Sequence, residues 1–509
     1  MRSTSPALCV ALCSLALAAC GPEPGDLKPE APATSVAIEA EAPAATVTSA
    51  AATCTFEPAT FSGWFESGSV TAGGAVKPAS SVSFMTDNPN GGSGPNVCNF
   101  YQWGAQMFLW LTSPEDGGLV LEGPAIFTVS PASDNKRSLI PNTTGANFRM
   151  ALRTRKADDV GEFGQAGGNG VLLSQQNALV YYGIAVNDVY AYFLSGQKSG
   201  PPLSAETAFP RNATDLQAVV DYARSAYSAT ILAPETLAIE LKTSWVDAST
   251  VGDPASFVTV NAEVPVFSAN ADNTEWTQSG TAIKQLALVG FHVVGTVQDH
   301  PEFVWATFEH VNNAPDDDYY YTNDQNQVVK HSYSSAEGVA FMAKGDSQVG
   351  ANTECAKADG ARIVAVTKDG APVCDGGIVG SNTVRSNPSG SAGGDNSAAT
   401  VRNNTLLLSI NSSVRSQLAA GDVRGNYIQV GGIWTTTPPA GGDAPIPNQQ
   451  GDQTSQLRGS LKLANATMET YNQNTHCFTC HSLAEGARNS FGAFRLSHIY
   501  SEIEVLPTQ

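Results

Sequence analysis

The sequence is poor in positive charge. Lys and Arg together number 27 against 47 Asp and Glu, a formal net charge of −20. Nucleic acid and anionic lipid surfaces both require a basic footprint, so this balance argues against either as a partner. After residue 19 no apolar run is long enough to span a bilayer, and the mature chain is not expected to thread a membrane. Charged residues make up only 15% against 42% hydrophobic, which excludes a disordered polyelectrolyte. No Walker, dinucleotide or Ser-His-Asp fingerprint is present, so the sequence supports none of those enzyme classes. No repeat of solenoid or propeller period is evident either. What is there is a 509-residue chain with material for one large or two medium hydrophobic cores.

The N-terminus carries an address. Arg2 forms a short basic n-region, and residues 7–19 form an apolar run too short to cross a membrane. The run ends in Leu17-Ala18-Ala19-Cys20-Gly21, which resembles the lipobox of bacterial lipoproteins. On that resemblance residues 1–19 are a signal peptide and Cys20 is the acylated residue; the alternative is an ordinary signal peptide cut nearby. Gly21 after the cysteine resembles lipoproteins sent onward to the outer membrane. The expected location is the bacterial cell envelope, lipid-anchored and either periplasm-facing or on the outer membrane. Residues 20–52, rich in Ala, Pro, Glu and Thr without apolar period, read as a disordered tether.

Cys9 and Cys13 leave with the signal peptide. Cys54, Cys98, Cys355 and Cys374 enter a disulfide-permissive compartment and allow three connectivities. Local pairing, Cys54–Cys98 and Cys355–Cys374, is the expectation.

The remaining pattern predicts an α+β fold: a β-rich mixed domain over 53–455 and a short helical C-terminal segment over 456–509. Apolar residues at helical spacing mark a core helix over 99–111, and a second helix covers 215–226. Strand-like runs fall at 177–186, 237–246, 257–260, 283–297, 362–366 and 426–434. Residues 387–400 are Gly/Ser/Asn-rich and read as a flexible loop or boundary, and 438–452 is an irregular Pro/Gly stretch.

The strongest motif is Cys477-Phe478-Thr479-Cys480-His481, the attachment sequence of haem c. Its two thiols add across the porphyrin vinyl groups, and the adjacent histidine is placed under the iron as proximal ligand. The bland reading, a redox or zinc Cys-x-x-Cys, lacks any second pair of ligands to complete it. Leu461, Ala464, Met468 and Tyr471 predict a helix entering the motif, and Leu496, Ile499, Tyr500 and Ile503 predict a second one after it. Only 28 residues follow His481, too few for a free-standing cytochrome domain. Two residues near the motif are candidates for a sixth iron ligand. His498 would point away from the core if 496–503 is a helix and toward it if it is a strand. Met468 has core packing as its default role. A histidine from the large domain, or an open iron, would make that domain a wall of the pocket.

All seven histidines lie in the second half of the chain. The run 286–298 alternates as a strand, Asp299-His300-Pro301 is turn chemistry, and 303–310 reads as the returning strand. If the register is even, His292 and His310 become cross-strand neighbours, a candidate metal or distal-haem pair, with Glu309 on the opposite face beside Trp305. The blander alternative is a pair of histidines hydrogen-bonded within a sheet.

Three stretches carry a family resemblance: Phe291-His292-Val293-Val294, the run from His300-Pro301-Glu302-Phe303 through Glu309-His310-Val311-Asn312-Asn313-Ala314-Pro315, and Leu463-Ala464-Asn465-Ala466-Thr467-Met468-Glu469-Thr470-Tyr471. With the aromatic segment from Trp103 to Leu111, they resemble a group of large bacterial cytochrome c family proteins, exported and with a single CxxCH near the C-terminus. The resemblance implies a monohaem protein in which the motif segment and the β-rich domain belong together. It implies no particular reaction. The favoured expectation is an electron-transfer lipoprotein with one covalent haem c and a redox partner protein, a basic one suiting the acidic surface. The alternatives are a haem-dependent oxidoreductase that binds a small molecule beside an open iron, and a surface-binding module with a sensory or vestigial haem.

Overall fold

The computed structural model describes residues 53–84, 97–130, 134–142, 148–149, 170–334, 341, 350–360, 362–380, 382–390, 394–435, 457–481, 494 and 496–507. Cys20, the tether and the 438–452 stretch lie outside them.

Helices α1 (Pro58–Trp64) and α2 (Val97–Leu111) open the fold, joined near their starts by a Cys54–Cys98 disulfide. Strands β1 (Ile126–Val129), β2 (Leu139–Pro141) and β3 (Val180–Asn187) follow. β3 runs directly into α3 (Asp188–Ser199) because the Asn187 side chain accepts a hydrogen bond from Tyr190 N and caps the new helix. Asn212 caps α4 (Ala213–Tyr227) in the same way, close to the bounds the sequence predicts. Next come β4 (Ile239–Asp247), β5 (Thr259–Ala269), the 23-residue β6 (Glu275–Val297) and β7 (His300–His310). The short strands β8 (Ala356–Asp359) and β9 (Arg362–Ala365) sit inside a loop closed by a Cys355–Cys374 disulfide. Helix α5 (Ala398–Gln417), β10 (Tyr427–Thr435), β11 (Leu457–Gly459) and the single turn α6 (Cys477–Cys480) complete the order.

The strands assemble into one large sheet in the order β11–β10–β7–β6–β4–β3–β1–β2, antiparallel along that path, with β5 and β9 pairing on the first half of β6. The architecture is a mixed α+β fold built on that sheet. Alternation along the strands divides the core. On one face Phe291, Val293, Val304, Ala306 and Phe308 pack under α2. The rings of Phe108 and Phe308 stack there at 4.6 Å. On the other face Val294, Phe303, Trp305 and Ile433 are covered by α3, α4 and the C-terminal segment, through Phe478, Leu496, Ile499, Tyr500 and Ile503. Each such burial contributes about 1.5–3 kcal/mol. Residues Ala50–Gln509 form one compact unit. No helix among the described residues is long and apolar enough to cross a membrane.

Two expectations are corrected. The spacing at Leu461, Ala464, Met468 and Tyr471 reads as an amphipathic helix, but the segment is a series of turns. Its polar residues are the reason: Asn465, Thr467 and Thr470 are buried as deeply as Met468, so no solvated face exists for a helix to present. Residues 496–503 are also turns rather than a helix, although Leu496, Ile499, Tyr500 and Ile503 all point inward as their spacing predicts. Across 387–400, Asn387 and Gly390 are buried, and α5 begins at Ala398.

Candidate functional site

The sheet face opposite α2 presents three cross-strand rows. The first is Tyr182, Ser244, Gly290 and Glu309; the second Ile184, Lys242, His292 and Thr307; the third Val186, Glu240, Val294 and Trp305. The segment leading to the motif is docked on these rows by polar contacts.

On the first row, Thr467 Oγ1 shares a 2.6 Å hydrogen bond with Ser244 Oγ, and Tyr182 donates its hydroxyl to the Thr467 carbonyl at 2.8 Å. Gly290 permits this approach: a Cβ there would lie 2.2 Å from Thr467 Oγ1 and 2.5 Å from Ser244 Oγ. Glu309 Oε1 accepts from Ala466 N at 2.7 Å, while its Oε2 is held by the Arg385 guanidinium, which also pairs with Asp316. On the second row, Asn465 Nδ2 donates to Thr307 Oγ1 at 2.8 Å. His292 Nε2 meets Glu469 Oε1 at 3.1 Å, and Glu469 Oε2 accepts from Asn465 N at 2.8 Å. Burial alone would push the Glu469 carboxyl up, but the charge and hydrogen bond of His292 outweigh it and hold the group below its ordinary value.

The motif rests on the third row. Phe478 is fully buried, edge-on to Trp305 at 5.7 Å, and anchors the turn. The turn Cys477–Cys480 places the two thiols at i and i+3, on one side of the helix. Cys477 and Cys480 remain unbridged, and burial pushes both thiols up, so they stay protonated. His481 follows at the C-cap, its ring 4.4 Å from that of Trp305. Its Nδ1 lies 2.7 Å from the Leu496 carbonyl. A carbonyl only accepts, so Nδ1 carries the proton and Nε2 keeps its lone pair. Burial, with His498 alongside, holds the ring far below the usual imidazole value, so it is neutral and able to ligate.

The other sequence candidates separate. His498 stacks face to face on His481 at 3.9 Å and donates Nε2–H to the Cys480 carbonyl at 3.0 Å. It therefore lies against the face of the His481 ring, with its own Nε2 already engaged. Met468 packs with Leu172, Tyr182, Val246, Ala287, Val289 and Phe341. His292 and His310 are not neighbours. The hairpin turns through two residues, Gln298 and Asp299, with Val297 facing His300, which makes the register odd. His292 faces Thr307 and lies on the motif side, with Glu309 on that same side. His310 lies on the other side, stacked on Phe257 at 3.8 Å, its Nε2–H donating to the Ser256 carbonyl at 3.2 Å. Among the described residues no three His, Cys, Asp or Glu side chains converge as a metal site.

The donor set fits a covalently attached haem c: two unbridged thiols on one side of a turn, and an imidazole whose second nitrogen is already oriented. Comparison with known proteins returned no matching family model, curated protein or solved structure. Sequence reasoning missed Glu469, Asn465, Lys242 and Trp305 as neighbours of the motif. For Glu469 and Asn465 the signal was the density of polar residues in a stretch read as an amphipathic helix; Lys242 and Trp305, on distant strands, gave none.

Proposed function

We propose that the chain is an exported monohaem c-type cytochrome lipoprotein acting in electron transfer. Haem c is held through Cys477 and Cys480, with His481 as proximal ligand and Cys20 as the lipid-bearing residue. The observation that carries this reading is the motif's geometry: free thiols on one turn, with His481 Nδ1 engaged by the Leu496 carbonyl. When bound, the haem supplies a one-electron carrier. The chain's own part is to orient His481 and to exclude water from its flank with Phe478 and Trp305. The net charge of −20 suits a basic redox partner.

One observation favours a second reading, a haem-dependent oxidoreductase with an open iron position. Both nearby candidates for a sixth ligand are engaged elsewhere, Met468 in an apolar core and His498 on the face of His481.

The test begins with haem staining on a denaturing gel. Wild type should stain, and Cys477→Ala with Cys480→Ala should not; unchanged staining of the double variant would overturn the attachment. Reduced protein is then exposed to carbon monoxide. Resistance supports electron transfer through a six-coordinate iron, whereas rapid binding favours the oxidoreductase.

A further inference from the structure

Cations buried in this fold have oxygen partners. Arg385 pairs with Glu309 and Asp316, Arg424 with Asp422, and Arg137 with Glu502. Lys198 is held by the carbonyls of Tyr500 and Ile503. Such pairing is expected, because an ammonium taken from water without an acceptor is costly. Lys242 departs from the pattern. It is half-buried on a central strand, and among the described residues its ammonium has no carboxylate or carbonyl partner. Its one neighbour of note is the Tyr182 ring, whose centroid lies 5.5 Å away.

Its position gives this meaning. Lys242 is the cross-strand partner of His292, on the middle row of the face that carries the motif. The adjacent row, one pleat repeat or about 6.6 Å along the strands, ends in Trp305, which touches His481. Three carboxylates share this face, and Glu309 is committed to Arg385 and to Ala466 N. Glu469 is committed to His292 and to Asn465 N, and Glu240 is pushed up to about 7 by burial. None of the three is within ion-pair distance of Lys242, although its charge helps to hold the proton affinity of Glu469 and Glu240 down. The lysine's charge nonetheless acts on His481, Cys480 and His498, so it lies within electrostatic reach of all three.

Resting on the haem reading above, we propose that Lys242 is the anion-binding residue of the haem pocket. Its ammonium receives a carboxylate-type group brought to the site, supplied either by a haem propionate or by a small free anion. A lysine in a protein of net charge −20 has abundant acidic residues available to it. One that, among the described residues, bonds directly to no carboxylate or carbonyl beside the cofactor motif is placed for a ligand that arrives with, or at, the cofactor.

The test uses the holoprotein with Lys242→Met and Lys242→Arg, sodium formate as the anion probe, and circular dichroism as the check of fold. A cation beside the iron favours the more electron-rich ferrous state. Lys242→Met should therefore move the ferric–ferrous equilibrium about tenfold toward ferric, about 59 mV for one electron, while Lys242→Arg stays near wild type. If the shift appears and the Soret band of wild type ignores formate, the anion is a propionate. If formate shifts the Soret band of wild type and Lys242→Met needs at least tenfold more of it, the anion is a free one. Should the Met variant lose its fold, Lys242→Gln carries the same readings. A charge-free variant with wild-type potential and wild-type formate response overturns the proposal while leaving the haem reading intact. A wild-type protein without covalent haem sinks both.

Discussion

His310 shows how one residue can look like a ligand and be part of the core. It is buried beneath Phe257 and Tyr427, and both ring nitrogens are used, Nε2–H on the Ser256 carbonyl and Nδ1 accepting from Asn312 N. Burial lowers its proton affinity to a pKa of about 4, only partly offset by the bond to Ser256. The folded state thus binds that proton less readily than the unfolded chain, whose imidazole titrates near 6.5. His310 destabilises the fold progressively as pH drops from about 6.5 to about 4, and contributes no pH dependence above that window. The full difference amounts to about 3 kcal/mol. Urea denaturation of wild type and His310→Gln at several pH values should show it: the wild type loses about 3 kcal/mol more across the window, and parallel curves would refute the assignment. A second residue effect is electrostatic. Arg385→Met would leave Glu309 charged, buried and deprived of its guanidinium, at a cost of about 3–5 kcal/mol. A loss below about 1 kcal/mol in the same denaturation assay would contradict that account.

At the scale of elements, the strands were legible and the docked segment was not. Residues 283–297 and 426–434 announce themselves by β-branched runs; the first sits inside β6 and the second is offset from β10 by one residue at each end. The helices at 99–111 and 215–226 follow equally directly from spacing, and the disulfides take the local pairing expected among the three possible connectivities. Two things resist this kind of reading. The face on which His292 and His310 lie depends on whether the turn has an odd or even number of residues, and one residue reverses the answer. The segment around 461–471 has helical apolar spacing, yet its polar side chains bond to strands more than 150 positions earlier, as Asn465 does to Thr307 and Phe308. Local periodicity carries no record of such partners. The consequence is testable at Gly290. Gly290→Ala would drive a methyl group into Thr467 and Ser244, costing about 1–3 kcal/mol by overpacking. It should also raise the rate of limited proteolysis within 461–475, whereas proteolysis at the wild-type rate would show that the segment is held by other means.

For the whole molecule, the motif segment and the sheet are one folding unit. Phe478, Leu496, Ile499, Tyr500 and Ile503 have no core of their own and share one with Trp305, Ile433 and α3. A fragment of residues 456–509 should therefore give no cooperative melt by circular dichroism. The same burial sets a timetable for maturation. Cys477 is partly covered once Phe478 seats against Trp305, and seating needs strands made more than a hundred residues earlier in the chain. On the haem reading, the thiols must react during export, while the tail still hangs loose. A chain that closes early narrows access to its own attachment point, so haem supply competes with the speed of folding.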